Sequence, residues 1–346
     1  MNKDMHLIRA IEMAAIAAYK YIGTKNKNAV DDAAVQALET ILKVAPIKTK
    51  VVIGEGELDQ APMLYVGQEL GTAPNVTFEI AVDPIEGTYP AAYNIAGSIA
   101  CLAAAKPGTM VYLPEMYMDK LFVNQELAHV IDLEKGLAWN VEQMQKAKSY
   151  HDLIAIVLDK PRNQAAINLL REYGVIVRLI GDGDVLAAID VINQEADFVY
   201  GIGGAPEGVL MAALAISSCG NMHARLLPYQ DIWPNEPETP TRMRIEAEQL
   251  LKCGLKNYQY LTSEELINDE AVRFIATGLT AGGSLKPIKY QHGIYHLNTF
   301  FASHGILRNM QVKYSIEQIK KLRPEIKTVI DKYQRSYEKK NPKNDI

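Results

Sequence analysis

The sequence predicts an α/β protein with two sheets, on three observations. Short apolar runs at 50–53, 77–82 and 97–104 read as strands that follow two helical segments. Further on, strand-like runs at 153–158, 175–180 and 198–201 alternate with helical spacing at 162–173, 184–193 and 205–217. That rhythm suggests a second parallel or mixed sheet covered by helices. Acidic or glycine-rich turns follow several of the strands, where sheets of this kind commonly place ligands.

In chain order, residues 5–22 carry apolar side chains at helical spacing up to Gly23, and a second helix is expected over 30–44, stopping before Pro46. Residues 24–28 between them read as a loop, and a further strand is expected at 109–113. The texture changes near 135–151, which places an N-terminal α+β domain at 1–135 and a C-terminal α/β domain at 136–334. Strands at 272–277, 285–290 and 294–301, within a segment 272–314, are expected to return to the sheets before a helix at 315–333. Residues 335–346 read as a polar tail, and no internal repeat is seen.

Composition narrows the classes. A net charge of -5 over 346 residues, with no dense basic block before the tail, argues against nucleic acid as a partner. The N-terminal segment lacks an uninterrupted apolar signal region, and the weakly polar stretch 95–105 is shorter than the ~20 residues a bilayer span needs. No membrane partner is expected. Cys101, Cys219 and Cys253 form no metal or redox spacing, and an odd count fits free thiols in a reducing cytoplasm.

Four segments combine carboxylates with glycine or proline at element ends. They are Lys27–Asp32, Ile53–Glu57, Val82–Thr88 and Gly201–Gly208. The stretch after Ile53 sets Glu55, Glu57 and Asp59 within five residues, facing either water or a cation. In the third segment the strand delivers Asp83, Pro84 is expected to turn the chain, and Glu86 can return to the same point. Asp83, the Ile85 carbonyl and Glu86 form an oxygen set that suits a hard divalent cation, and Thr88 lies near a helix start that favours phosphate. The same pattern also serves as a helix cap.

Gly201-x-Gly203 follows a strand, but Pro206 stands where a dinucleotide fingerprint needs its third glycine, and no phosphate-binding P-loop occurs. Glu207 suits either a cap or a metal carboxylate. Asp182 and Asp184, after another strand, suit N-capping or sugar hydroxyls. Lys160 and Arg162 read as a solvated loop or as phosphate contacts, Arg162 being the type suited to bidentate binding. The seven histidines show no ligand spacing, and no Gly-x-Ser-x-Gly elbow supports a serine nucleophile.

Five stretches in order, Gly54–Tyr65, Ala81–Thr88, Met116–Leu121, Asp182–Val185 and Tyr200–Gly208, resemble the class II bacterial fructose-1,6-bisphosphatases of the lithium-sensitive sugar-phosphatase superfamily. The resemblance runs from about Glu12 to Leu227 and thins beyond residue 230. It implies an α-β-α-β-α sandwich with two sheets, a cytoplasmic dimer or tetramer, and Mg²⁺ or Mn²⁺ as cofactor. The implied reaction removes the 1-phosphate of fructose 1,6-bisphosphate, giving fructose 6-phosphate and inorganic phosphate in gluconeogenesis.

Position by position, the resemblance implies metal sites at Asp31, Glu55, Asp83, Glu86 and Glu207. Glu86, Gly87, Thr88, Tyr117, Lys160, Arg162, Asp182, Asp184 and Gly204 fall where the family contacts the substrate. Asp31, Glu55 and Thr88 would position the attacking water, Lys27 matches a position in the first acidic segment, and Glu57 and Asp59 would shape the loop. The chain departs from the family at Tyr89–Asn94 and at Ala302–Arg308. Those departures bear on which sugar phosphate is turned over, with sedoheptulose 1,7-bisphosphate or another sugar phosphate as alternatives. The reading from a different class is a non-catalytic sugar-phosphate sensor.

Overall fold

A computed structural model describes residues 3–56, 63–149 and 152–340. Glu57 and Asp59 lie outside the described residues. The chain is mixed α/β with two sheets, as its alternation of strand and helix signals predicts. It forms two compact units. The first holds residues 1–102, 275–301 and 307–346, and the second holds 103–274 and 302–306.

The first unit is organised by two helices and an eight-stranded sheet. Helix Asp4–Tyr19 buries an almost continuous apolar face, including Leu7, Ile11, Met13 and Ile16. Helix Lys27–Lys43 buries Val30, Ala34, Leu38 and Leu42 at helical spacing. It starts earlier than the sequence reading placed it. The Asn26 side chain accepts the Ala29 N–H at 3.1 Å, so Lys27 and Asn28 belong to the helix rather than to a loop.

The sheet runs, in hydrogen-bonded order, Lys289–Gln291, Ile294–Ser303, Arg273–Gly278, Ile99–Ala105, Phe78–Glu86, Lys48–Ile53 and Glu69–Gly71, with Ile306–Ser315 also paired to Ile294–Ser303. Phe78–Glu86 and Lys48–Ile53 are parallel. Pro84 does not turn the chain, because the strand continues through Asp83-Pro84-Ile85 to Glu86. The register with Lys48–Ile53 ends at Ala81, so beyond it a proline removes no ladder bond on that side. The turn comes at Gly87. The expected strand at 285–290 shrinks to Lys289–Gln291, and the expected terminal helix divides into Ile316–Leu322 and Pro324–Lys340, the proline opening the second.

The second unit is built on a six-stranded sheet ordered Tyr260–Thr262, Asn221–Leu227, Tyr117–Val123, Phe198–Gly204, Ile154–Leu158 and Ile176–Ile180. Tyr117–Val123 lies antiparallel between two neighbours, whereas Ile154–Leu158 runs parallel to both of its own. One face of Tyr117–Val123 places Leu121 and Val123 in a core with Leu127, Val141, Leu153 and Phe198. The other face carries Met118, Lys120 and Phe122, all fully or almost fully buried. The expected strand at 109–113 is a single bridge, Met110 to Ile267, in a stretch confined by the Pro107–Gly108 turn and Pro114.

Candidate active site

In the first unit the acidic residues gather at the ends of the two parallel strands and the start of a helix. Asp31 lies in the first turns of Lys27–Lys43, and Glu55 lies two residues past the Lys48–Ile53 strand. Their side chains are hydrogen-bonded to each other. Burial and the charge of Asp32 push the Asp31 carboxyl up to about 6, against which the Glu55 bond acts. Two carboxylates in such contact share a proton or take a cation between them.

Asp83 and Glu86 sit on one strand, and one carboxylate oxygen of each lies within 4.8 Å of the other. In a flat strand, residues three apart face opposite ways; here the strand's end brings them together. Asp83 Oδ1 also accepts the Ile85 N–H at 2.9 Å, and the Thr88 hydroxyl donates to the Ile85 carbonyl at 3.1 Å. That carbonyl, an expected metal oxygen, therefore has one lone pair engaged by Thr88. Gly87 has φ 80°, and a Cβ there would lie 2.5 Å from the Gly97 carbonyl oxygen. Only glycine makes this turn. Next to it, Lys27 Nζ lies 5.1 Å above the Tyr89 ring, which stacks on Tyr93 with centroids 4.4 Å apart.

In the second unit the predicted residues form two groups on one sheet. Tyr117 opens its strand, and the Arg162 guanidinium stands 5.2 Å over its ring. Arg162 Nε donates to the Ile202 carbonyl at 2.8 Å, and Trp233 Nε1 donates to the Tyr117 hydroxyl at 2.8 Å. Lys160 is half-buried and directly precedes the Pro161–Asn163 turn. Asn163 ties that turn to the sheet: its Oδ1 accepts the Ile202 N–H at 2.7 Å and its Nδ2 donates to the Leu158 carbonyl at 3.1 Å.

The other group centres on Lys120. Asp184 begins helix Asp184–Ile192 after Gly183, and its Oδ2 lies 2.6 Å from Lys120 Nζ. The same ammonium donates to the Gly204 carbonyl at 2.9 Å. Glu207 stands in the first turn of Ala205–Ser217 and folds back over Gly204, where a Cβ would collide with Glu207 Oε2. Burial raises the Glu207 pKa; the Lys120 charge opposes this, while Asp184 and Asp182 add to it. Among the described residues, Glu207 Oε2 is buried with no hydrogen-bond partner. A buried carboxylate oxygen left unpaired is costly, and a hard cation is a partner suited to it. The donor sets of both units, all carboxylate and carbonyl oxygen, fit Mg²⁺ or Mn²⁺ better than a soft metal.

Lys120, Asn163 and Trp233 were not singled out by sequence reasoning. Lys120 had only a weak signal, its apolar flanks in Met118-Asp119-Lys120-Leu121-Phe122, since beside Asp119 it reads as solvated. Asn163 and Trp233 had none, since their partners are distant in sequence.

The sequence model described as bacterial fructose-1,6-bisphosphatase, glpX-encoded, matches residues 1–314. The class 2 fructose-1,6-bisphosphatase of Haemophilus influenzae is 37% identical over 323 residues, covering 91% of this chain and 96% of the relative. The class 2 fructose-1,6-bisphosphatase 1 of Escherichia coli K12 is 38% identical over 329 residues, covering 93% and 97%. The similarity therefore continues well past residue 230, where the motifs thin out. Among the described residues, no helix is long and apolar enough to cross a membrane.

Proposed function

Because this chain belongs to the bacterial, glpX-encoded fructose-1,6-bisphosphatase family, we propose that it hydrolyses the 1-phosphate of fructose 1,6-bisphosphate with two or more divalent cations, for which Asp31, Glu55, Asp83, Glu86 and Glu207 are the candidate ligands. The observation that carries this reading is the converging Asp83 and Glu86 pair, set between a strand end and the Gly87 turn. A bound Mg²⁺ or Mn²⁺ would neutralise phosphate oxygens and lower the pKa of a water.

The chain's own residues do the rest. Asp31 and Glu55, in hydrogen-bond contact with each other, orient the attacking water. The Thr88 hydroxyl and the backbone after Gly87 hold the 1-phosphate for in-line attack. Lys160 and Arg162 bind the second phosphate, with Arg162 held flat by the Tyr117 ring and the Ile202 carbonyl. Asp182, Asp184 and Gly204 contact the sugar. Products are fructose 6-phosphate and inorganic phosphate, in gluconeogenesis. The reading extends to a homodimer or homotetramer and to a cytoplasmic location, which the free thiols of Cys219 and Cys253 support.

The test is phosphate release from fructose 1,6-bisphosphate, sedoheptulose 1,7-bisphosphate and sugar monophosphates, with Mg²⁺, with Mn²⁺ and with EDTA. Metal-dependent release from fructose 1,6-bisphosphate, lost in Asp83→Ala and Glu207→Ala, is the expected result. Metal-dependent binding of a sugar phosphate with no turnover of any would replace the reading with a sensor.

A further inference from the structure

A lysine only 2% exposed is rare, because the ammonium loses its water and must be repaid by fixed partners. Lys120 has them: Asp184 Oδ2 at 2.6 Å and the Gly204 carbonyl at 2.9 Å, with the Glu207 charge close enough to be felt. The surrounding glycines make the room. A Cβ on Gly203 would lie 2.9 Å from Lys120 Nζ and 2.7 Å from Asp184 Oδ2, and one on Gly208 would lie 3.5 Å from Lys120 Cδ and collide with Met118 Sδ. The glycines that fail as a dinucleotide fingerprint thus frame a buried ammonium.

We propose that Lys120 is a positioning residue for substrate binding, a built-in cation that cancels the charge of Asp184 and fixes its carboxylate so that it serves the sugar as a hydrogen-bond acceptor without repelling the phosphates. The inference rests on the reading of Asp184 as a sugar contact. Its logic is electrostatic. Asp182 and Asp184 both lie close enough to Glu207 for their charges to act on it, and the substrate carries two phosphates. Without an internal cation they would attract metal but repel that substrate. With Lys120 paired to Oδ2, Asp184 keeps Oδ1 for a hydroxyl, and its orientation is fixed by the sheet. Lys120 stands opposite Gly201 on one neighbouring strand and Ala224 on the other, so its backbone is tied on both sides.

The experiment measures KM for fructose 1,6-bisphosphate, kcat and the Mn²⁺ concentration giving half-activity for wild type, Lys120→Met, Lys120→Arg, Gly203→Ala and Asp184→Asn. Lys120→Met keeps the stem and removes the charge. It is expected to raise KM at least tenfold, lower kcat less than threefold, and leave the Mn²⁺ requirement unchanged or lower. Lys120→Arg should recover part of the KM. Gly203→Ala keeps every charge but pushes the ion pair apart, so its KM should rise as well; it carries the test if Lys120→Met does not fold. A structural defect would instead worsen KM, kcat and the Mn²⁺ requirement together, and that pattern, or an unchanged KM in a folded Lys120→Met or Gly203→Ala, overturns the proposal. Asp184→Asn separates the two levels. A normal KM there removes the sugar-contact reading itself, while a raised KM beside a normal Lys120→Met removes only the role of Lys120.

Discussion

The acidic residues at the candidate sites of the two units are differently balanced. In the first unit, Asp31, Asp32, Glu55, Asp83 and Glu86 cluster at strand ends, and the Asp31 carboxyl is raised by burial and by Asp32. In the second, Asp184 is paired at 2.6 Å with Lys120, and Arg162 and Lys160 stand on the neighbouring strand-to-helix turn. The first arrangement gathers carboxylate charge, Asp31 against Glu55 and Asp83 beside Glu86. The second contains its own cations: Lys120 is buried against Asp184, and Lys160 and Arg162 are half-buried on the turn. On the proposed assignment one region serves the metal and the other the sugar phosphate, and side-chain charge rather than topology makes the difference.

The largest expected effect tests that division directly. Asp83→Ala should lower kcat/KM by on the order of 10³-fold, as expected for loss of a principal electrostatic stabiliser, and should raise the metal requirement. Arg162→Ala should cost about 2 kcal/mol, or roughly thirtyfold, almost all of it in KM. Steady-state kinetics across a Mn²⁺ titration read both. If Arg162→Ala changes the metal requirement and Asp83→Ala changes only KM, the division of labour is wrong.

The next effect concerns stability and has a definite sign. In the metal-free protein, Asp31 holds a proton up to about pH 6 that an unfolded chain releases near 3.8. The stability linked to it is complete below the unfolded value and is lost as pH rises through about 6. Asp31→Asn should therefore remove that slope and stabilise the metal-free protein by about 1–3 kcal/mol above pH 6, while abolishing turnover. Thermal melts with EDTA between pH 4 and 8 check this. An unchanged melting profile would mean that burial and Asp32 do not raise the Asp31 carboxyl in the folded chain. With metal present, cation and proton compete, so metal affinity should rise as pH rises through about 6.

The pattern of what the sequence foretold follows from the range of the interactions. Helices with apolar faces, such as Asp4–Tyr19, and buried runs, such as Ile154–Leu158, were legible because their signal lies within one turn or one strand. Pro84 misled because a proline reads as a breaker unless the strand's pairing is known, and the pairing depends on residues more than 25 positions away. Tyr117–Val123 was unread as a strand because Asp119 and Lys120 look solvated until Arg225 and Asp184 are seen to meet them. The candidate site was legible as clustered motifs. What stayed hidden was how they are supported: the Asp31–Glu55 bond, the Asn163 staple and the Lys120 cation all join residues distant in the chain.

The smallest effect sharpens the comparison most finely, since it lies one residue behind the anion side. Trp233 Nε1 donates to the Tyr117 hydroxyl at 2.8 Å, and Tyr117 in turn carries Arg162 on its ring. Trp233→Phe keeps an aromatic body and removes only the donor, a loss of about 1 kcal/mol, or roughly fivefold in KM. Tyr117→Phe removes the other half of the same bond and should show a similar loss of its own. If the hydrogen bond is the cause, the double variant adds little to either single one, because the shared interaction is removed once. Purely additive losses would mean that each ring acts by packing alone. The metal requirement should not move in any of the three, and a shift there would tie the aromatic pair to the cation side instead.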